Sequence, residues 1–237
     1  MELAYELDDE SFSDPDLFAV GDGIGIGESG AIRVFGTDGK LRANIALRDS
    51  SPDIALLGGT KIAATMDDEL VLWDLAKCGT DKVVLPRKKG RMFITGEGSC
   101  DDCTSPPAGC LVARSELSDL ESVRPLSLSD GSIGAQTTDG PARVAPNGNK
   151  HWVTEVDGVG PMREVGDAVV FLSRDDDTKP ARLVALATST GKATWQRALP
   201  TISGDISYSS EPFVEVAGNW IVVGSKGKAA WLKVGAK

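Results

Sequence analysis

The segment RLVALATSTGKATW, residues Arg182 to Trp195, constrains the fold more than any other part of the sequence. Its apolar run reads as a β-strand, Thr190-Gly191-Lys192 as a tight turn, and the residues that follow as a second strand with a Trp four positions after the Gly. A glycine in such a turn accepts positive φ without steric cost, and two apolar runs separated by turn residues form a hairpin. Weaker copies of the turn recur at Asp38-Gly39-Lys40, Lys77-Cys78-Gly79 and Asn147-Gly148-Asn149, with a degenerate Ser118-Asp119 between the last two.

These turns fall about 40 residues apart, except for a shorter unit before Gly148. Four short antiparallel strands and three turns need about that length, which is one blade of a β-propeller. Blade one is expected from Asp16–Val20, Gly23–Glu28, Ala31–Gly36 and Lys40–Leu47. Blade two is expected from Ile54–Leu57, Lys61–Met66, Leu70–Leu75 and Lys82–Leu85. Blade three is drawn from Arg91–Gly96, Leu111–Leu117 and Ser122–Leu126, and blade four from Ser132–Thr138, Ala142–Ala145 and Lys150–Val156, so both are irregular. Blade five takes Met162–Val165, Ala168–Ser173, Ala181–Ala187 and Lys192–Leu199. The last unit has only Phe213–Val216, Trp220–Gly224 and Ala229–Val234. Its missing outer strand is expected at the other end of the chain, in Leu3–Leu7, a closure that removes two exposed edges at once. The expected architecture is all-β: a single six-bladed propeller over residues 1–237, closed by its N-terminal strand. A fragment of a larger propeller is the competing reading.

The TGK..W arrangement of Thr190, Gly191, Lys192 and Trp195 resembles the repeat of PQQ-like (pyrroloquinoline-quinone-type) propellers, in which the turn and the Trp dock each blade on its neighbour. Asn147-Gly148-Asn149-Lys150-His151-Trp152 keeps the same Gly-to-Trp spacing, whereas blade one has Ala43 and blade two Val83 at that position. Family members that bind the quinone carry an adjacent Cys-Cys pair and a calcium site in a chain about twice as long. The resemblance therefore implies a member without cofactor, of the kind that serves as an envelope-assembly scaffold or a sensor domain.

Composition excludes several classes. A formal charge of −10 leaves no basic stripe for phosphate contacts, and Arg87-Lys88-Lys89 is the only basic cluster, so nucleic acid is not the expected partner. No run of 18 apolar residues is present to form a transmembrane helix. The chain opens on Met1-Glu2-Leu3 without a charged-then-apolar leader, which suits either a cytosolic protein or one that begins after a removed signal or anchor.

Cysteines stand at 78, 100, 103 and 110. The Cys100-x-x-Cys103 spacing, with Cys110 beyond it, is compatible with a zinc site, but the blade assignment puts Cys78 on the opposite face. A disulfide stapling the hairpin, Cys100–Cys110, is the expected alternative, with free thiols as a third reading. A disulfide places the protein in an oxidising compartment, so an extracytoplasmic location is expected. His151 is the lone histidine and is expected on an outer strand; no Gly-x-Ser-x-Gly elbow accompanies it. Asp22-Gly23-Ile24-Gly25-Ile26-Gly27 lies in a hairpin and not before a helix, so close packing explains it better than a dinucleotide site does.

Sorted by blade face, most carboxylates, Asp130 among them, fall on the loops that join the second strand to the third and each blade to the next. Asp67, Asp68, Glu69, Asp101, Asp102, Asp175, Asp176 and Asp177 form the candidate binding surface, an acidic rim that would steer a basic partner. Asp is also the default turn residue, and the same loops serve solubility alone on the plainer reading. Asp175–Asp177 offers oxygens to calcium, although not in EF-hand spacing. The function expected is a non-enzymatic, extracytoplasmic recognition or scaffold propeller for a protein or envelope component, the ectodomain of an anchored protein being one form of it. A small-ligand binder or enzyme using the central funnel is the alternative.

Overall fold

The computed structural model describes residues 16–28, 31–46, 53–66, 69–84, 104–117, 125–137, 140–173, 180–200, 202, 212–218, 220–225 and 228–233. These residues form β-strands joined by turns, with one 3-10 turn at Leu75–Lys77. The chain divides into two compact units, Met1–Met66 with Val71–Arg114, and Asp67–Leu70 with Ser115–Lys237. Leu3–Leu7, the expected closing strand, lies outside the described residues.

The first sheet is an antiparallel meander of β1 (Asp16–Val20), β2 (Gly23–Glu28), β3 (Ala31–Gly36) and β4 (Leu41–Ala46), as the sequence leads one to expect. Phe18 stands opposite Gly25, and a Cβ at that glycine would fall 2.1 Å from the Phe18 ring. The glycine pattern thus reflects close packing. Alternate side chains on one face (Val20, Ile32, Val34, Ala43 and Ile45) enter a core shared with Ile54, Ile62, Ala64, Val71 and Trp73.

The second sheet begins with β5 (Asp53–Gly58), β6 (Lys61–Met66) and β7 (Glu69–Asp74). Its outer strand differs from expectation. After the 3-10 turn, β8 (Lys82–Val84) runs parallel to β4 and becomes a fifth strand of the first sheet, with Ile45 opposite Val83. Val83 is fully buried there, in the core of the first unit. The outer position beside β7 is filled by β9 (Leu111–Glu116), which the sequence reading gave to a third blade. A disulfide between Cys78 and Cys110 brings the start of β9 to the end of β7, where the Asp74 amide donates to the Cys110 carbonyl at 2.8 Å.

The remaining sheets are local meanders. β10 (Leu126–Ser127), β11 (Ile133–Thr137), β12 (Gly140–Val144) and β13 (Lys150–Val153) form the third. β14 (Gly158–Val165), β15 (Ala168–Ser173), β16 (Ala181–Ala187) and β17 (Ala193–Leu199) form the fourth, and β18 (Phe213–Ala217), β19 (Trp220–Ser225) and β20 (Lys228–Lys233) the fifth. Five sheets thus lie among the described residues, one fewer than the six blades expected. Of the segments assigned to blade three, Leu111–Glu116 closes the second sheet and Leu126 begins the strand that opens the third, while Arg91–Gly96 lies outside the described residues.

β15 shows how the sheets of the second unit stack. Its sequence AVVFLS is buried along its whole length, as a strand covered on both faces must be. Val170 and Leu172 join Leu183, Ala185, Val214, Ile221 and Val223 on one side. Val169 and Phe171 join Leu128, Met162, Val184 and Leu186 on the other. The fourth sheet is therefore packed between the third and the fifth.

Candidate functional site

A polar pocket opens where turns of the third and fourth sheets meet. It starts in the turn between β10 and β11, where the Gly131 amide donates to the Leu128 carbonyl at 2.9 Å. Asp130, in this turn, accepts hydrogen bonds on Oδ1 from both the amide and the hydroxyl of Ser132. Arg143 projects from β12 and is nearly buried. Its Nε donates to Ser132 Oγ at 2.8 Å, its Nη1 to the Thr188 carbonyl at 2.9 Å, and its Nη2 to Asp130 Oδ2. One planar guanidinium thereby reaches three acceptors, which a lysine ammonium on a flexible stem does not reproduce.

The wall contributed by the fourth sheet is equally ordered. Glu164, near the end of β14, accepts from the Ser129 amide at 2.7 Å and the Ser129 hydroxyl at 2.8 Å. The Thr188 amide donates to the Asp167 carbonyl at 2.8 Å. The Thr188 carbonyl accepts a second bond, from Trp152 Nε1 at 2.8 Å, while the Thr188 hydroxyl oxygen is buried with no partner among the described residues. These groups surround a cavity of about 310 Å³ lined by Ser129, Asp130, Arg143, Glu164, Gly166, Asp167, Thr188 and Ser189. Three acidic residues line this cavity with one arginine, and its guanidinium is already engaged. The hydrogen bonds from the Ser132 hydroxyl and amide, aided by the charge of Arg143, hold the Asp130 carboxyl below its usual value. The pocket therefore offers fixed acceptors and negative charge to a cation or a hydrogen-bond donor.

Sequence reasoning missed this site and misplaced one of its members. Asp130 was expected on the same acidic face as Asp67. It sits instead in the turn between the first two strands of its sheet, because β10 opens the third sheet where the sequence reading ended an earlier blade with it. Of the acidic residues singled out as a binding surface, only Glu69, the first residue of β7, is described. Asp67, Asp68, Asp101, Asp102 and Asp175–Asp177, including the calcium candidate, lie outside the described residues. Among the described residues no group of three metal-ligating side chains comes together.

The cysteine assignment is corrected. Cys110 pairs with Cys78, Cα atoms 4.5 Å apart, and so is not bonded to Cys100, which lies outside the described residues. The expectation failed because Cys78 was placed on the face opposite Cys110. In the structure the 3-10 turn after β7 carries Cys78 back into the core of the first unit, where both sulfurs are buried. With two of the four thiols consumed, a four-Cys zinc site is also ruled out. His151 is exposed on β13, as expected of an outer strand.

The turn-and-Trp motif behaves as the resemblance implies between the third and fourth sheets, whereas Trp195, in the fullest copy of the motif, is exposed. Gly191 adopts a φ of +67°, and the Trp152 ring of the neighbouring sheet lies so close that a Cβ on Gly191 would fall 2.6 Å from Trp152 Cδ2. Several solved structures share the architecture. BamB from Moraxella catarrhalis is 16% identical with a TM-score of 0.60, over 93% of this chain and 57% of that one. A europium-containing methanol dehydrogenase is 11% identical with a TM-score of 0.54, over 92% and 50%. Hsv2 from Kluyvelomyces marxianus is 10% identical with a TM-score of 0.56, over 92% and 58%. The fold is of β-propeller type. BamB and the methanol dehydrogenase are PQQ-repeat propellers, and the likeness to them is one of fold. This chain spans between half and three-fifths of the length of these structures. No family model matches the sequence, and no curated protein does.

Proposed function

We propose that this chain is a non-enzymatic recognition or scaffold module of propeller type that works outside the cytoplasm and binds a basic protein or envelope component. The observation that carries this reading is the cross-braced acidic pocket between the third and fourth sheets. Its Glu164 and Asp130 carboxylates are fixed by hydrogen bonds before any ligand arrives, and preorganised acceptors lower the entropic cost of binding. Loops on a rigid β scaffold are where recognition residues concentrate. The buried Cys78–Cys110 disulfide supports an oxidising compartment. The reading invokes no quinone and no metal. It retains the acidic rim of Asp67, Asp68 and Asp175–Asp177 as a second negative surface, and Leu3–Leu7 as the fourth strand beside β20.

Fluorescently labelled Lys/Arg-rich and Glu-rich peptides of equal length test the proposal by polarisation at several salt concentrations. The basic peptide is expected to bind with strong salt dependence and the acidic one not to bind. Glu164→Gln with Asp167→Asn should abolish binding if the pocket is the site. Asn at positions 67, 68 and 175–177 should abolish it if the rim is. Equal binding of both peptides, or indifference to both sets of changes, sinks the proposal. The volume of the cavity, near 310 Å³, is also at the small end of the range for small-molecule sites. A small organic cation that raises the melting temperature, with no peptide bound, would favour that second reading.

A further inference from the structure

The fifth sheet buries one face and leaves two tryptophans on the other. Val214, Ile221 and Val223 pack inward, with Ala230 and Leu232 beside them. The alternate residues share the outer face. On β18 these include Phe213 and Glu215, on β19 Trp220 and Val222, and on β20 Trp231 and Lys233. Val222 stands at the centre, with Glu215 opposite it on one side and Trp231 on the other. Trp220 stands opposite Lys233 and is the diagonal neighbour of Trp231, about 7–8 Å away. The Phe213 ring lies over Gly224, where a Cβ would fall 2.5 Å from its Cζ. Trp220 is 46% exposed and Trp231 65%.

Charged groups stand among these rings, and they nearly balance. Arg163, reaching over from β14, donates from Nη2 to Glu215 Oε1 at 2.6 Å and from Nε to Oε2 at 3.4 Å, a bidentate grip that orients the carboxylate. Lys233 adds one further cation beside Trp220. Flat apolar rings thus alternate with fixed donors and acceptors within one cross-strand step, and that mixture narrows the occupant. The core of a protein interface is depleted of lysine and glutamate, and a dry surface laid here would strip Lys233 and Glu215 of water. Nucleic acid needs a basic stripe that a chain of net charge −10 lacks. A chain of pyranose sugars meets both demands of the face. Each ring presents a layer of C–H groups, which the electron-rich face of an indole attracts. Its rim of hydroxyls both donates and accepts, so it uses Lys233 and Glu215 without stranding either.

We propose that the outer face of the fifth sheet is a glycan-binding platform. Trp220 and Trp231 stack against sugars of one oligosaccharide, while Glu215 and Lys233 hydrogen-bond its hydroxyl rim. Tryptophan supplies a large, rigid contact area at low cost in conformational entropy, so an open platform binds without a deep cleft. The platform shares no residue with the acidic pocket, and peptide binding there neither supports nor weakens it.

Cellohexaose, chitohexaose and polygalacturonate are the probes, titrated by calorimetry and against intrinsic tryptophan fluorescence. At least one is expected to bind saturably and to change the indole emission. Trp231→Ala should weaken that binding about tenfold, and Trp220→Ala with Trp231→Ala should abolish it. Trp231→Phe should keep most of it, and Lys233→Gln should weaken it less than Trp231→Ala does. The melting temperatures of Trp231→Ala and Lys233→Gln should match the wild type, because both side chains are exposed. Failure of all three glycans to bind overturns the proposal. So does binding that survives the loss of both indoles, which would put the sugar elsewhere. A rise of mass with concentration that Trp231→Ala abolishes would mean that a second copy covers this face, and overturns it as well.

Discussion

The indole N–H of Trp152 donates to the carbonyl oxygen of Thr188 at 2.8 Å, binding an outer strand of the third sheet to the turn of the fourth. The ring rests on Gly191 of the same turn. Trp152→Ala removes this bond and the ring's packing, and should destabilise the second unit by about 2–3 kcal/mol. Gly191→Ala should cost about as much, because its Cβ meets the indole and the residue must hold a positive φ. Chemical denaturation of both variants checks this, and a loss below about 0.5 kcal/mol in either would remove the turn-and-Trp contact as a determinant of stacking.

Asp130 predicts a pH dependence. Its carboxyl is held below the ordinary 3.8 by the Ser132 hydroxyl and amide, with Arg143 adding its charge. A carboxyl with a depressed native pKa contributes stability that is fully present above its unfolded value and is lost as the pH falls through the native one. Stability of the wild type should therefore decline below pH 3.8, and Asp130→Asn should show a shallower decline over the same window. Because Asp130 is about half exposed, the difference is a modest one. Thermal melts between pH 2 and 5 measure it; identical acid limbs would refute the assignment.

The Cys78–Cys110 bond closes a loop with a sequence separation of 32. Constraining the unfolded chain to that extent contributes about 3–4 kcal/mol, so Cys78→Ser with Cys110→Ser should lower the melting temperature by about 10 °C. Non-reducing peptide mapping should recover a Cys78–Cys110 crosslink from the wild type. Recovery of Cys100–Cys110 would contradict the structure directly.

β8 shields the outer edge of the first sheet through Ile45 opposite Val83, and the Val84 amide in turn donates to the Thr104 carbonyl at 3.0 Å. Val83→Asp places an unpaired charge at a fully buried position. The expected result is faster amide exchange in Ala43–Ala46 and a chain that associates through the bared edge. Unchanged exchange in β4 would show that the edge does not need this cover.

Much of this fold was legible because it is local. Strands β1 to β7 and β14 to β20 follow apolar runs punctuated by Gly, Asp and Asn, and each pairs with its sequence neighbour, so turn chemistry alone orders them. Gly191 and Trp152 were legible for the same reason, as a spacing repeated in two turns. The errors lie where pairing is long-range. Lys82–Val84 has the composition of an outer strand, and nothing in those residues tells β4 from β7 as a partner. Its choice is made by the turn at Leu75–Lys77 and by the burial of Cys78 and Val83. The pocket was hidden for a related reason: Ser129, Arg143, Glu164 and Thr188 come from four separate segments, and only the stacking of two sheets makes them neighbours.

The parallel strand β8 and the disulfide beside it also set an order of events during synthesis. The fourth sheet is a contiguous stretch of chain that completes itself as it emerges. The first sheet is different: four of its strands are finished by Ala46, yet the fifth arrives with Val84 and is locked only when Cys110 is present to pair with Cys78. The second sheet waits for Glu116, the end of β9. The N-terminal half of this protein must therefore be held unfinished while well over a third of the polypeptide is made, and one of its closing steps is oxidative.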